Sequence, residues 1–255
     1  VFFDAALASA ARIEFAPPMR PITAKLLPAL GAAACVVALS GCEIKHSDDN
    51  LIAGKQLFVA KCGSCHTLSR AGTKGTVGPD LDAAFARDLG EGFQRDTVRG
   101  VVHAQILNPG RGTAMPPNLV TGQKANDVAA YVAFAAARSG QDSGLLAAAV
   151  APAGAGKPAV ASGGNLEIDA DPSGQLAYVT NKASAPPGSL TIKMKNGSST
   201  PHNIALEGAA SAAGPVVQSG GVSSFQVTLK PGTYTYFCQV QGHRQGGMLG
   251  TLTVK

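Results

Sequence analysis

The sequence predicts two domains of different class, an all-α domain followed by an all-β Greek-key sandwich, joined by a linker. Apolar residues recur at helical spacing between residues 51 and 139. From Asn165 onward the pattern changes to short alternating runs punctuated by turn residues. Between the two, residues 140–163 (GQDSGLLAAAVAPAGAGKPAVASG) are rich in Ala, Gly, Pro and Ser and carry almost no charge.

Residues 1–41 read as upstream sequence and a leader. Val1 to Pro18 match no structural pattern, whereas Met19, followed by Arg20 and Lys25, resembles a start with a positive n-region. The apolar run Leu26–Leu39 leads into Leu39-Ser40-Gly41-Cys42, which resembles a bacterial lipobox with Cys42 as the lipid acceptor. The run is shorter than the roughly 20 residues of a transmembrane helix, so a cleaved signal peptide is expected, with an uncleaved N-terminal helix as the alternative. Both readings place the protein outside the cytoplasm and tethered to the membrane, with residues 42–50 as the tether. Removing residues 1–41 takes away Arg12, Arg20, Lys25, Asp4 and Glu14 and lowers the net charge from +5 to +4. This small, scattered excess gives no support to nucleic-acid binding.

The helical domain, residues 51–139, opens with Leu51, Lys55, Phe58 and Val59 at helical spacing, running directly into Cys62. Gln94 to Leu107 forms a second periodic segment, ended by Asn108-Pro109-Gly110. A last helix is expected from about Gly122 to Arg138, with Val128, Tyr131, Val132 and Phe134 as its apolar positions. The linker, treated as a coil, spans about 27 Å at about 5.5 Å × √n, although Leu145–Val150 could extend the preceding helix. The β domain, residues 164–255, shows its strands at Leu190–Met194, Phe225–Leu229, Thr233–Phe237 and Leu249–Val254, with turns at Asn196-Gly197 and Pro231-Gly232. Met194 alternates with its neighbours and reads as core.

The chemistry lies in two short motifs. Cys62-Gly63-Ser64-Cys65-His66 has the form of covalent c-type haem attachment: each cysteine can bond a haem vinyl group, and the next residue then lies close to the iron. A CxxC redox pair or half a zinc site explains His66 less well, and zinc would need further Cys or His ligands that are not nearby. Met115, in Thr113-Ala114-Met115-Pro116-Pro117, is the candidate sixth ligand; core packing and His103 are the alternatives. A thioether there raises the potential and closes the iron to substrates. Near the other end, Cys238, His243 and Met248, with His202 upstream, match a blue-copper set of two imidazoles, a thiolate and a weak axial thioether. Gly242, Gly246 and Gly247 let that loop fold back on itself. Taken alone, His202 would be an ordinary loop histidine. The five cysteines are then accounted for, with Cys35 in the leader, Cys42 lipidated, Cys62 and Cys65 on haem and Cys238 on copper.

On these motifs, residues 51–139 resemble a small class I cytochrome c domain. Gly54, Phe58 and Tyr131 match its crossing terminal helices, and Gly78-Pro79-Asp80-Leu81 matches its Gly-Pro-x-Leu segment. The resemblance implies that the Pro79 carbonyl accepts a hydrogen bond from His66 and orients it. Residues 165–255 resemble a cupredoxin of the plastocyanin/azurin/halocyanin kind through Asn196, Pro201-His202-Asn203, Tyr236-Phe237-Cys238 and Gly242 to Met248. That resemblance implies that Asn203 hydrogen-bonds toward the region of Cys238. The Cys238–His243 spacing is longer than in plant plastocyanins, so partner and potential do not carry over.

The expected function is an electron carrier with one covalent haem c and one type 1 copper. It would work in a respiratory or photosynthetic chain between a quinol-oxidising complex and a terminal oxidase or reductase, with the edge of His243 as an exposed port. The alternatives are a redox domain serving a separate enzyme, or a copper-handling protein. No catalytic residue is expected. A copper nitrite reductase needs about three more histidines, and only His46 and His103 remain in the mature chain. A peroxidase needs an open iron position, and a dinuclear copper centre needs a second cysteine in the copper loop.

Overall fold

The helical domain starts at Asn50, whose side-chain oxygen accepts from the N–H groups of Ile52 and Ala53 and caps α1 (Leu51–Lys61). The computed structural model describes residues 48–208 and 212–255; the expected leader and the lipid acceptor Cys42 lie outside these residues. Among the described residues no helix is long and apolar enough to cross a membrane.

After α1 come a small hairpin, β1 (Thr67–Leu68) and β2 (Thr73–Lys74), then α2 (Leu81–Gly90), α3 (Arg95–Leu107) and α4 (Gln123–Ala135). Helix α4 is buried along most of its length between α1 and α3. It crosses α1 closely because Gly54 has no side chain: a β-carbon there would collide with the carbonyl of Asp127 and lie 2.9 Å from the Cβ of Tyr131. The rings of Phe58 and Tyr131 then pack 6.4 Å apart. Helix α3 ends before Asn108-Pro109, as the proline predicts. Helix α4 stops short of the expected Arg138. The Arg95 guanidinium takes up the carbonyls of Ala133, Phe134 and Ala136, and Ala137 turns to φ 52°. Helix α2, whose Leu81 and Phe85 are half-buried against the helical core, is held by Asp80 as its N-cap.

The segment expected to be a coil is ordered instead. Its first half folds onto the helical domain as α5 (Gly144–Ala148), where Lys55 Nζ donates to the Leu146 carbonyl at 2.8 Å and Gln56 to that of Ala149 at 3.1 Å. Its second half joins the β domain: Gly156 N–H donates to Val179, and β3 (Ala159–Val160) pairs in parallel with β5 (Lys182–Ala185). Alanine and glycine make this possible, because small side chains leave the backbone carbonyls and N–H groups open to neighbours.

The β domain stacks a six-stranded sheet, in the order β3-β5-β11-β10-β7-β8, on a three-stranded sheet, β4-β6-β9. Its remaining strands are β4 (Asn165–Glu167), β6 (Gly188–Lys195), β7 (Ala205–Glu207), β8 (Ala212–Ala213), β9 (Val222–Leu229), β10 (Gly232–Phe237) and β11 (Leu249–Val254). The alternation read from the sequence places Leu190, Ile192 and Met194 of β6 inside, against Leu166, Leu252 and Val254. Strands β10 and β11 pair from Gly232–Val254 to Phe237–Leu249. The connection between them, residues 238–248, is the loop expected to hold copper.

Candidate metal centres

The haem-attachment turn follows directly from α1. Cys65 N–H and His66 N–H both bond back to the Cys62 carbonyl, at 3.0 and 2.9 Å, which curls the motif into one turn. His66 Nδ1 donates to the Pro79 carbonyl at 2.9 Å, the contact that the resemblance implies, and this leaves Nε2 free for iron. Gly78 lies flat against the imidazole: a β-carbon there would be 2.5 Å from its Cε1. The sequence marked Gly78 only as part of a family segment; its reason is this contact.

Cys62, Cys65, His66, Pro79 and Met115 all line one cavity of about 450 Å³, whose other walls include Phe58, Leu81, Ile106 and Val132. That volume falls within the roughly 300–1,000 Å³ typical of cofactor sites. His103, the rival ligand, is half-buried on α3 and does not line it. Cys62 and Cys65 are not joined in a disulfide. Burial pushes the Cys62 thiol up to about 12, with Cys65 adding to the shift. A redox-active CxxC needs a stabilised thiolate, the opposite condition, whereas a thioether to haem is uncharged and suited to this apolar setting.

At the other site, two chain segments meet. His202 is held by a two-way backbone bridge to Val217, at 3.1 and 2.8 Å, and Cys238 N–H bonds to the Met248 carbonyl at 3.1 Å. Their donor atoms converge: His202 Nδ1 lies 3.1 Å from His243 Nδ1, which lies 3.5 Å from Cys238 Sγ. Among the described residues, His202, Cys238 and His243 are the group whose donors could hold a metal ion, all lying within 4.8 Å of one another. Bonds of about 2.0–2.3 Å to a common ion fit that spacing. Met248 is fully buried beside them. Burial lowers His202 to about 4, helped by His243, and lowers His243 to about 4 as well. Both imidazoles are therefore neutral at physiological pH, the form that binds metal. Burial raises Cys238, and hydrogen bonds from the backbone N–H groups of Asn203 and Val240 oppose this. Those bonds favour the thiolate that copper requires. The Nε2 of His202 has no hydrogen-bond partner, so its ring is positioned by packing and by whatever its Nδ1 binds.

The expectation of an exposed His243 edge is not met. His243 is only 6% exposed. Arg244 beside it stacks on the Phe237 ring at 4.4 Å and pairs with Glu207.

Comparison with known proteins divides the chain along the same line. Residues 51–135 match the cytochrome c family model, and residues 165–255 match that of copper-binding proteins of the plastocyanin/azurin family. The first implies haem c and the second a type 1 copper. Among solved structures, the chain is similar to dithionite-reduced auracyanin from Roseiflexus castenholzii, with 25% identity over 37% of this chain and 99% of that one and a TM-score of 0.34. It is also similar to auracyanin A, a "blue" copper protein of Chloroflexus aurantiacus, with 23% identity over 39% and 100% of the two chains and a TM-score of 0.33.

Proposed function

We infer, from a cytochrome c domain and a plastocyanin/azurin-type copper domain on one chain, that this electron-transfer protein is a two-centre, one-electron carrier. The observation that carries the reading is the convergence of two imidazoles and a cysteine sulfur on one buried point. Haem, when bound, supplies a one-electron iron couple. Cys62 and Cys65 would tether it, Pro79 and Gly78 would fix the His66 ring, and Met115 would close the sixth position. Copper would take His202, Cys238, His243 and the buried thioether of Met248, a set that suits both oxidation states and needs little rearrangement.

The carrier works at the outer face of a membrane, anchored through Cys42, and passes electrons from a quinol-oxidising complex to a terminal oxidase or reductase. Support for this setting comes from the Leu39–Cys42 motif and the short apolar run before it. With Met115 on iron and Met248 on copper, both sites would be closed to substrate, which favours a carrier over an enzyme.

Visible spectra of the purified protein test the assignment. Cys238→Ser is expected to abolish the blue absorption and leave the haem bands unchanged. Met115→Ala is expected to leave the blue band, open the iron to added ligands and lower its potential. Loss of both signals in either variant would overturn the two-site reading. For the anchor, Cys42→Ala should release the protein from the membrane fraction; unchanged size and membrane association would refute lipidation.

A further inference from the structure

The helical and β domains belong to one compact unit, and their contact joins the two metal-binding segments. The β domain reaches over in a turn at Asp171–Gln175, where Asp171 Oδ1 accepts from Ser173 N–H at 2.8 Å and from its hydroxyl at 2.6 Å. At its tip Gly174, at φ 86°, lies against Ala60, two residues before Cys62: a β-carbon on Gly174 would be 2.8 Å from the Cα of Ala60. Ser199 Oγ donates to the same Ala60 carbonyl at 3.2 Å. Leu176, the residue that follows the turn, occupies the space beside Gly246 of the copper loop. A second approach brings Gly242, which precedes His243, to Thr76: a β-carbon on Gly242 would lie 3.4 Å from the Thr76 hydroxyl. Thr76 in turn precedes the Val77-Gly78 step that covers His66.

We propose that this contact is an electron-transfer junction within the chain, holding the two redox domains at a fixed spacing and turning the His243 side of the copper loop toward the haem domain. The inference rests on the electron-carrier reading above. One covalent path with a single hydrogen bond links the two ligand sets: Cys62-Lys61-Ala60, the Ala60 carbonyl to Ser199, then Thr200-Pro201-His202. The step moves one electron and no proton: iron(II) becomes iron(III) as copper(II) becomes copper(I), or the reverse. Three features indicate a built contact. Gly174 is buried, its turn is pinned by Asp171, and Gln175 Nε2 ties the turn to the Ala151 carbonyl at 2.8 Å.

The test uses the full chain carrying both metals, with flash reduction of the haem followed by the copper absorption, and amide exchange measured in parallel. The expected transfer is first-order, with a rate constant independent of protein concentration. Gly174→Leu should lower it severalfold and speed amide exchange at residues 60–62, with both absorption bands intact. Because that variant could also disturb its own turn, Thr76→Trp perturbs the junction from the exposed, haem-domain side and should slow the transfer likewise. An observed rate constant that rises in proportion to concentration, or variants that alter neither rate constant nor exchange, would overturn the proposal. Intact bands without interdomain transfer would overturn it alone, whereas a missing haem or copper band would overturn the carrier reading as well.

Discussion

Asn203 concentrates several constraints in one side chain. Its Nδ2 donates to the Gly214 carbonyl at 3.0 Å and to Gln239 Oε1 at 2.9 Å, while its Oδ1 accepts from Gln239 N–H at 2.8 Å. Gln239 follows Cys238, so this side chain locks the segment carrying His202 to the segment carrying the thiolate. Its carbonyl also accepts from the Tyr178 hydroxyl at 2.9 Å. Asn203→Leu keeps the bulk and removes the bonds, leaving buried backbone groups unpaired at about 1–3 kcal/mol. We expect a correspondingly lower denaturation midpoint and a shifted blue absorption, since the Cys238 sulfur would lose its fixed orientation. An unchanged band would show that the metal alone orients the loop. The sequence made Asn203 visible only through its place after His202. The bonds of Val240 and Asn203 N–H to the sulfur come from backbone, which carries no residue signal.

Asp142 does the corresponding work for the helices. Its carboxylate meets Lys55 of α1 at 3.0 Å, Arg70 of the short 3-10 turn Ser69–Ala71 at 2.9 Å, and the Tyr131 hydroxyl of α4 at 2.8 Å. Its side chain is 1% exposed. Burial pushes this carboxyl up, but the hydrogen bonds from Lys55, Tyr131 and Arg70 outweigh burial and hold it below its ordinary 3.8. A carboxyl lowered by folding contributes stability above its unfolded value and loses it as pH falls through the folded one. Asp142→Asn should therefore cost about 3–5 kcal/mol near neutrality, because Lys55 and Arg70 keep buried charges without a counter-ion. The gap between the two proteins should narrow only below the ordinary carboxylate range. Denaturant midpoints across a pH series would measure this, and a gap that closes already between pH 5 and 7 would disprove it. The composition of residues 140–163 suggested a free coil because its two charged residues, Asp142 and Lys157, were diluted among small ones; Asp142 is what fastens the start of the segment down.

For the whole molecule, legibility followed chemistry. Two cysteines and a histidine within five residues, and Cys, His and Met on one loop, are short-range patterns that metal ligation imposes on sequence, so both candidate sites stood out in it. The strand alternation of β6 and β9 was equally plain. The junction between the domains was not, because it is made by Ala60, Gly174, Ser199 and Gly242, residues whose role is backbone proximity and which repeat no motif. The same is true of β3. Two residues from the former linker lie along the free side of β5 and form the outer member of the six-stranded sheet. Anyone cutting the gene to obtain the copper domain alone would naturally begin at Asn165, where the family match starts. That cut uncovers a row of unpaired backbone groups, an invitation to self-association. A fragment beginning near Pro152 should sediment as a monomer and one beginning at Asn165 as larger species, and equal sedimentation of the two would disprove it. The boundary that a sequence comparison draws and the boundary at which the domain is whole thus differ by about a dozen residues.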